Sequence, residues 1–487
     1  MTKTRSHRPS SPGEVATASN MNTVGDCTPI SKTLEVSFDR GLIVVKGQVD
    51  SSLFPFLEYD DRLKEYAAEA FHYRRLVLAC RDQGYTLNDH ARNYDVCDFK
   101  LTKEIEPRPH QAKAMEAWKN SSYHGCCVLP TGAGKTILAV MAIATLKRTT
   151  LVVVPTIDLL HQWQKTLNEF FGVEIGGYGG GEKNLREITV ATYDSAKLII
   201  EHYGTKFGFI VFDECHHLPA PQYQMIARSA VAPFRLGLSA TIERADGGEE
   251  TIYEIVGEKV YEATITDMVS KVLAPYDVVT VEVCLSEKEK AAYEAQRKVY
   301  LDFVRSQRIQ LSSPTGWSDF IKLSARSHAG KRAMRAYRNQ KKLAAGSEAK
   351  IKELWRIFSD HIGERIIIFT ADNDLAYEIG KRYFLPVLTH HTKAKERKFM
   401  LDSFRGGSYS VLVTSKVLNE GVDVPEASVG VVVSGSGSVR EHVQRLGRIL
   451  RHKDGKRARL YELISMGTGE KWVKQRRRQH HAYQKSH

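Results

Sequence analysis

The feature that most constrains this chain is a glycine loop, Leu129-Pro130-Thr131-Gly132-Ala133-Gly134-Lys135-Thr136. The apolar run before it, 126–129, predicts a strand, and the periodic pattern after it, 136–148, predicts a helix. A strand, a glycine loop and a helix in this order build a cradle for phosphate, because glycines let backbone N–H groups point at an anion. The start of the helix adds its dipole. The alternative is an ordinary glycine turn with an exposed lysine and threonine.

The side chains of this loop suit a nucleoside triphosphate. Lys135 is placed to reach the β- and γ-phosphates, and the hydroxyl of Thr136 is placed to hold Mg²⁺. The general pattern has a glycine where this chain has Leu129, but the Pro-Thr-Gly-x-Gly-Lys-Thr form is typical of helicases. The other expected ATP contacts of the loop are Thr131, Gly132, Ala133 and Gly134.

Composition bounds the remaining possibilities. A chain of 487 residues predicts about three domains. The net charge of +13 favours a polyanionic partner. The seven cysteines form no Cys-x-x-Cys pair, so we expect no disulfide framework, zinc site or iron–sulfur cluster. No apolar run approaches the ~20 residues of a membrane helix, and no leader pattern opens the chain. A reducing cytoplasmic setting, beside the nucleoid, is the expectation.

Pattern changes divide the chain into five segments. Residues 1–32 are polar and predict a disordered tail. Residues 33–100 predict a small α+β accessory domain, with strands at 34–38 and 42–46 and a helix over 62–83. Residues 101–274 and 275–470 predict two α/β domains in tandem. Residues 471–487 predict a basic C-terminal tail.

Both α/β domains show short, wholly apolar runs separated by helical patterns, which is typical of buried parallel strands. The runs lie at 151–155, 188–192, 209–213 and 236–241 in the first domain, and at 365–369, 411–414 and 429–433 in the second. The fold class is therefore α/β, with two doubly wound parallel sheets. An insertion at 286–346 predicts two or three helices rich in lysine and arginine.

Two carboxylates, Asp213 and Glu214, close the 209–213 run. The carboxyl end of a parallel strand faces the ligand crevice, so Asp213 suits Mg²⁺ and Glu214 suits polarising the attacking water. A plain turn at the strand end is the alternative. His216 is expected to relay the nucleotide state. His217 follows it directly, so the two rings point apart and no zinc site is expected.

Other residues are candidates for the nucleotide. Gln111, three residues after Arg108, has the paired donor and acceptor that adenine requires, although a surface glutamine would look the same. Ser239 and Thr241 end a strand and suit passing a change at the phosphates to the second domain. In that domain, Asp423 is expected to accept from the ribose, beside Gly421.

A helix over 444–451 supplies the remaining catalytic candidates. Arg448 and Arg451 are three residues apart and share a face, as two arginine fingers closing on the γ-phosphate would. Gln444 opens this helix and is grouped with them at the nucleotide. A basic solvated helix face is the alternative.

In order and spacing, these elements resemble the superfamily 2 helicases. Finer details resemble one branch, the archaeal relatives of the xeroderma pigmentosum group B (XPB) helicase. The stretches that carry the resemblance are 213–220 (DECHHLPA), 232–241 (APFRLGLSAT), 419–427 (NEGVDVPEA), 434–441 (SGSGSVRE), 444–451 (QRLGRILR) and 461–470 (YELISMGTGE).

The resemblance implies RecA-like folds for both α/β domains, a damage-recognition-like accessory domain and a thumb-like insertion. It implies DNA-dependent ATP hydrolysis, 3′→5′ unwinding or translocation on DNA, a role in nucleotide excision repair and a nuclease partner. The chain departs from the family where an Arg-Glu-Asp element is usual. It has Arg244-Ala245-Asp246, which leaves the ATPase chemistry intact and puts strand separation in question.

The DNA contacts expected from this resemblance are sequence-independent and made to the backbone. They are Pro155, Thr156, Thr192, Tyr193, Arg244, Asp246, Arg332, Arg335, Arg338, Thr414 and Ser415. Solvated basic helices are the alternative for the three insertion arginines. Rival functions are a duplex translocase that does not unwind, an RNA helicase, and a non-catalytic scaffold that binds nucleic acid.

Overall fold

The computed structural model describes residues 32–243, 247–264, 268, 276–313, 315–415, 427–434 and 458–471. The predicted tails at 1–32 and 471–487 lie outside these ranges except for their innermost residues. The described residues form three sheets, each with its own helices.

The accessory domain is a five-stranded sheet covered by one helix. Its strands are β1 (Thr33–Asp39), β2 (Leu42–Lys46), β3 (Glu58–Asp60), β4 (Glu65–Glu69) and β5 (Thr86–Asp89), in the order β3-β4-β2-β1-β5. Helix α1 (Tyr73–Asp82) follows a 3-10 turn at Ala70–His72. The β1–β2 hairpin confirms the two predicted strands, and its turn places Arg40 and Gly41 at positive φ.

The helix predicted over 62–83 is wrong in its first half. Residues Glu65–Glu69 form β4, which pairs antiparallel with β2, so sheet pairing overrides the helical spacing of the apolar side chains. Leu63, expected on the buried face of that helix, is 37% exposed. Only the part from Tyr73 onward forms the helix, with Tyr73 and Leu76 buried.

The accessory domain docks on the first α/β domain. The Arg74 guanidinium donates to the carbonyls of Ser122 at 3.0 Å and Pro233 at 2.8 Å. Val231 of the α/β domain is part of the apolar core of the accessory domain.

The first α/β domain is built on an eight-stranded sheet in the order β13-β6-β12-β11-β7-β10-β8-β9. Every neighbouring pair is parallel except β8 and β9. The strands are β6 (His124–Val128), β7 (Thr150–Val154), β8 (Gly176–Gly179), β9 (Glu182–Asn184), β10 (Ile188–Thr192), β11 (Phe209–Asp213), β12 (Phe234–Ser239) and β13 (Lys259–Glu262). The helices are α2 (Pro109–Asn120), α3 (Lys135–Leu146), α4 (Ile157–Phe171), α5 (Tyr193–Tyr203), α6 (Pro221–Arg228) and α7 (Glu249–Val256).

The second α/β domain is built on six parallel strands in the order β14-β19-β18-β15-β17-β16. These are β14 (Tyr276–Val283), β15 (Ile366–Phe369), β16 (Val387–Leu388), β17 (Val411–Thr414), β18 (Val429–Val432) and β19 (Ala458–Ser465). Its described helices are α11 (Glu348–Asp360), α12 (Asn373–Tyr383) and α13 (Ala394–Gly406). The apolar runs of both domains are buried strands, as predicted.

The insertion is three helices placed between β14 and α11. They are α8 (Glu287–Ser306), α9 (Gly316–Arg326) and α10 (His328–Ala345). Tyr300, Phe303 and Phe320 form its own small core with alanines of α10. None of the described helices in the whole chain is long and apolar enough to cross a membrane.

Candidate nucleotide site

The glycine loop joins the end of β6 to the start of α3. Gly132 and Gly134 both have φ +86°, a left-handed backbone that favours glycine. A Cβ atom on Gly134 would lie 2.3 Å from Nε2 of Gln111, so the space is also closed to a larger residue. The loop therefore needs glycine at this position for two reasons.

Helix α2 braces the loop from outside. His110 Nε2 lies 2.7 Å from the Ala133 carbonyl oxygen, and Gln111 Nε2 donates to the Gly134 carbonyl at 3.1 Å. The Gln111 side-chain carbonyl accepts from the Arg108 N–H at 2.9 Å, which fixes the start of α2. Gln111 is buried and both ends of its amide are bonded within the protein. Its contact with adenine stays a prediction.

Lys135 and Glu214 meet in the site. Lys135 Nζ donates to Glu214 Oε1 at 3.1 Å, and each side chain is only 12% exposed. Burial raises the pKa of Glu214, but the charge of Lys135 and the nearby His216 ring, whose Nδ1 lies 3.4 Å from Oε2, outweigh it, so that the pKa lies below its usual range. Glu214 is thus the ionised partner of Lys135.

Asp213, on β11 beside β7, is held by two donors. Trp163 Nε1 donates to Oδ2 at 2.9 Å, and the Glu214 N–H donates to Oδ1 at 3.1 Å. Burial and the charge of Glu214 raise the pKa of Asp213 to about 6, against the lowering effects of Lys135 and Trp163. The two neighbouring carboxylates therefore have pKa values shifted in opposite directions, which is typical of functional sites.

The backbone at Glu214 is unusual for a residue with a side chain. Its φ of +50° and ψ of +52° place it in the left-handed region. Such a conformation costs on the order of 1–3 kcal/mol and persists where the surroundings hold it. Here the Lys135 contact and the following 3-10 turn hold it, and they turn the carboxylate toward the glycine loop.

His216 connects this strand end to the next one. Its Nδ1 lies 3.1 Å from Ser239 Oγ, and Ser239 donates to the Thr241 carbonyl at 2.6 Å. Because the hydroxyl hydrogen goes to Thr241, we assign the proton between the two side chains to His216 Nδ1. The structure thus brings His216 together with Ser239 and Thr241, which the sequence analysis considered separately.

Sequence reasoning missed Trp163, and it missed that Tyr193, expected at DNA, contacts Asp213. Tyr193 donates its hydroxyl to the Asp213 carbonyl at 3.1 Å, so α4 and α5 both fix the strand end. Buried tryptophan and tyrosine normally need a hydrogen-bond acceptor. One indication of this role for Trp163 was present in the sequence: the tryptophan lies on the apolar face of α4, the helix that follows β7.

Four of the residues expected to contact DNA have buried side chains in this structure, and their contact with DNA stays a prediction. Tyr193 is 2% exposed, and Thr192, which accepts from the Ser195 N–H as the N-cap of α5, is 7% exposed. Thr414 and Ser415 are buried at the end of β17, where the Thr414 hydroxyl donates to the Ser415 carbonyl. Pro155 and Thr156 are partly exposed at the start of α4.

The three insertion arginines, Arg332, Arg335 and Arg338, are exposed along one side of α10. Among the described residues none of them forms an ion pair. Trp317, on α9, is 42% exposed, and its ring centroid lies 4.9 Å from that of Tyr337 on α10. Several predicted site residues lie outside the described residues, namely Arg244, Asp246, Gly421, Asp423, Gln444, Arg448 and Arg451.

No group of three His, Cys, Asp or Glu side chains within the described ranges is arranged to hold a metal ion. Two oxygen donors suit a hard cation: the Thr136 hydroxyl, in the first turn of α3, and the Asp213 carboxylate, at the end of β11. Thr131 Oγ1 is buried and has no hydrogen-bond partner among the described residues. This donor set fits Mg²⁺ bound together with phosphate oxygens.

Three family models match the chain. Residues 36–91 match the xeroderma pigmentosum group B helicase damage recognition domain. Residues 104–244 match the type III restriction enzyme, res subunit, and residues 349–453 match the helicase conserved C-terminal domain.

Relatives match over most of the chain. A "DNA 3'-5' translocase XPB2" of Sulfurisphaera tokodaii is 40% identical, over 89% of this chain and 98% of the relative. "DNA 3'-5' helicase XPB" of Mycobacterium tuberculosis is 31% identical, over 88% of this chain and 74% of the relative.

Solved structures agree on the fold. The helicase domain of Pyrococcus furiosus Hef has a TM-score of 0.51 at 19% identity, covering 76% of this chain and 97% of that one. Saccharomyces cerevisiae Dbp5 has a TM-score of 0.53 at 14% identity, covering 78% of this chain and 88% of that one. The sheets, the phosphate loop and the extent of the 40% match lead to one conclusion: the chain is an ATP-hydrolysing superfamily 2 helicase and belongs to the XPB family.

Proposed function

We propose that this chain is a motor that couples ATP hydrolysis to 3′→5′ movement on duplex DNA and opens it, in nucleotide excision repair. The observation that carries the motor is the buried Lys135–Glu214 contact beside Asp213, under a glycine loop. The names of the Sulfurisphaera tokodaii and Mycobacterium tuberculosis relatives support DNA as the track and 3′→5′ as the direction. The net charge of +13 supports a polyanionic track.

ATP and Mg²⁺ are the proposed cofactors. Thr136 and Asp213 would hold the cation, which neutralises charge on the phosphates when bound. Lys135 would leave Glu214 for the phosphates, and the released carboxylate would orient the attacking water. Arg448 and Arg451 would approach from the second domain and stabilise the charge of the transferred phosphoryl group.

The test is ATP hydrolysis by the purified protein alone and with duplex DNA, single-stranded DNA or RNA, beside Lys135→Ala. Strong stimulation by DNA that the variant lacks is the expected result. Equal stimulation by RNA would make the chain an RNA helicase instead. Absence of hydrolysis under every condition would contradict the motor and favour a non-catalytic scaffold. If the chain is a scaffold, the Glu214→Gln variant should keep the cellular role of the wild-type protein.

A second candidate, a duplex translocase that does not separate strands, rests on two observations. The chain has Ala245 where the family usually has a glutamate, and the Sulfurisphaera tokodaii relative is named a translocase. A strand-displacement assay separates the candidates. Displacement of a third strand from a triplex without release of a duplex strand would favour translocation.

The proposed setting is the cytoplasm, beside the nucleoid, with a nuclease as partner. The setting follows from the cysteine pattern, and the nuclease follows from the family resemblance. Affinity purification of the tagged chain from its own cells, followed by mass spectrometry and a nuclease assay, tests the partner. Recovery of the chain without nuclease activity would count against it.

A further inference from the structure

The two α/β domains are bridged by an ion pair that the sequence did not predict. Arg397 Nη1, on α13 of the second domain, donates to Asp158 Oδ2, on α4 of the first domain, at 2.5 Å. The partners are 239 residues apart in the chain. Side chains of both domains also belong to one buried apolar cluster, so the pair lies in a molecule whose domains are in contact.

This pair differs from the ordinary surface ion pairs of the same helix. The Arg397 side chain is 20% exposed, whereas Arg405, which pairs with Asp402 one turn away on α13, is 49% exposed. Arg397 Nη2 also donates to the Thr392 carbonyl at 3.3 Å. Its Nε is buried and has no hydrogen-bond partner among the described residues. Loss of the Asp158 carboxylate would therefore leave the half-buried guanidinium of Arg397 without its ion-pair partner, which is unfavourable.

Asp158 lies on a helix that also reaches the nucleotide site. It lies in the first turn of α4, two residues after Thr156, which caps this helix and is among the proposed DNA contacts. One and a half turns further along, the same helix carries Trp163, the hydrogen-bond donor to Asp213. One short helix thus contacts the second domain, the loop proposed to meet DNA and the carboxylate of the nucleotide site.

We propose that Asp158 and Arg397 are a positioning pair that couples the second domain to α4, and through Trp163 to Asp213. DNA at the start of α4 and closure of the second domain both move this helix. The pair makes the two movements dependent on each other, so that hydrolysis responds to DNA. This inference rests on the proposed DNA-driven motor.

The test compares Asp158→Asn, Arg397→Gln and the exchanged pair Asp158→Arg/Arg397→Asp. In each single variant we expect the ratio of DNA-stimulated to DNA-free kcat to fall about tenfold, a usual size for coupling between two sites. The KM for ATP should change much less than kcat. The exchanged pair should recover most of the ratio, because it restores the contact with opposite polarity.

Two matched controls separate coupling from simple loss of a charge. Arg405→Gln removes a guanidinium from the same helix, and Asp194→Asn removes an acid from the first turn of α5, where it pairs with Lys197. Both should leave the ratio unchanged. A normal ratio in the single variants, or no recovery in the exchanged pair with unchanged thermal unfolding, would overturn the coupling alone. A wild-type protein that ignores DNA would overturn the proposed function and this inference together.

Discussion

The pKa of Asp213 is raised mainly by burial and is lowered in part by a hydrogen bond from Trp163. Its carboxylate is buried beside ionised Glu214, and the indole of Trp163 is one of the groups that lower its raised pKa. Only the ionised form of Asp213 is a good ligand for Mg²⁺. Protonation of this single group, with pKa about 6, is therefore expected to limit ATP hydrolysis at acid pH.

Replacing Trp163 by phenylalanine should move that limit upward. The change keeps most of the apolar bulk and removes the N–H that favours the ionised carboxylate, so the pKa of Asp213 rises further above its usual value. As the pH falls, Trp163→Phe should therefore lose hydrolysis at a higher pH than the wild-type protein does. The measurement is kcat/KM for ATP against pH for both proteins, because this ratio reports the pKa values of the free enzyme. Trp118→Phe is the control, since that buried indole donates to the Arg235 carbonyl instead; an unshifted profile in Trp163→Phe would contradict the prediction.

At the scale of elements, the sequence was informative where one local rule decides the outcome. Continuous apolar runs became buried parallel strands because both faces of each sheet are covered, and the glycine loop fell between strand and helix. The helix prediction for residues 65–69 was wrong because pairing with β2, and not the local spacing of apolar residues, decides their structure. The contacts of Gln111, Trp163 and Arg397 could not be predicted, since their partners lie 22 to 239 residues away.

The brace between α2 and the glycine loop predicts the effect of a single methyl group. Gly134→Ala places a Cβ against Gln111 Nε2 and forces alanine into a left-handed backbone, which costs about 1–2 kcal/mol before any clash. Gln111 must move and the loop must shift. We expect at least about a tenfold loss of kcat/KM for ATP, because misplacement of about 1 Å at a reacting group has effects of this size.

Gly406→Ala is the matched control for that variant. Gly406 ends α13, and a Cβ there would meet no atom within 4 Å. Alanine should leave hydrolysis unchanged and raise stability by up to about 1 kcal/mol. Thermal unfolding and ATP kinetics on both variants check the pair of expectations. Normal ATP kinetics in Gly134→Ala would show that the loop does not need this backbone.

At the scale of the whole molecule, helix α10 of the insertion presents Arg332, Arg335 and Arg338 to solvent from a domain that is to move relative to the first. Reversing all three to glutamate should weaken stimulation of hydrolysis by DNA. Loss of three phosphate contacts would reduce the slope of log affinity against log salt by about 3. Binding of a labelled duplex at several salt concentrations measures that slope.

A variant with the same change of net charge elsewhere separates local contact from overall charge. Lys113, Lys119 and Lys183 are exposed on the first domain, and their reversal should lower affinity with little change in slope. If both triple variants behaved alike, the insertion arginines would be solvated residues without a specific contact. That outcome would remove the insertion from the proposed DNA contacts, and it would not affect the proposals for the ATP site and the Asp158–Arg397 pair.

The step from movement to strand separation is expected to depend on one carboxylate. Ala245 stands between Arg244 and Asp246 where the family usually has glutamate, and it is not among the residues expected to hold ATP or Mg²⁺. Ala245→Glu should therefore leave DNA-stimulated hydrolysis within about twofold, as is usual for a residue outside the chemistry, and increase displacement of a labelled strand from a forked duplex. Ala245→Gln, with similar size and no charge, is the control. Equal displacement by wild type and Ala245→Glu would mean that the motor opens DNA, or fails to open it, by means other than this element.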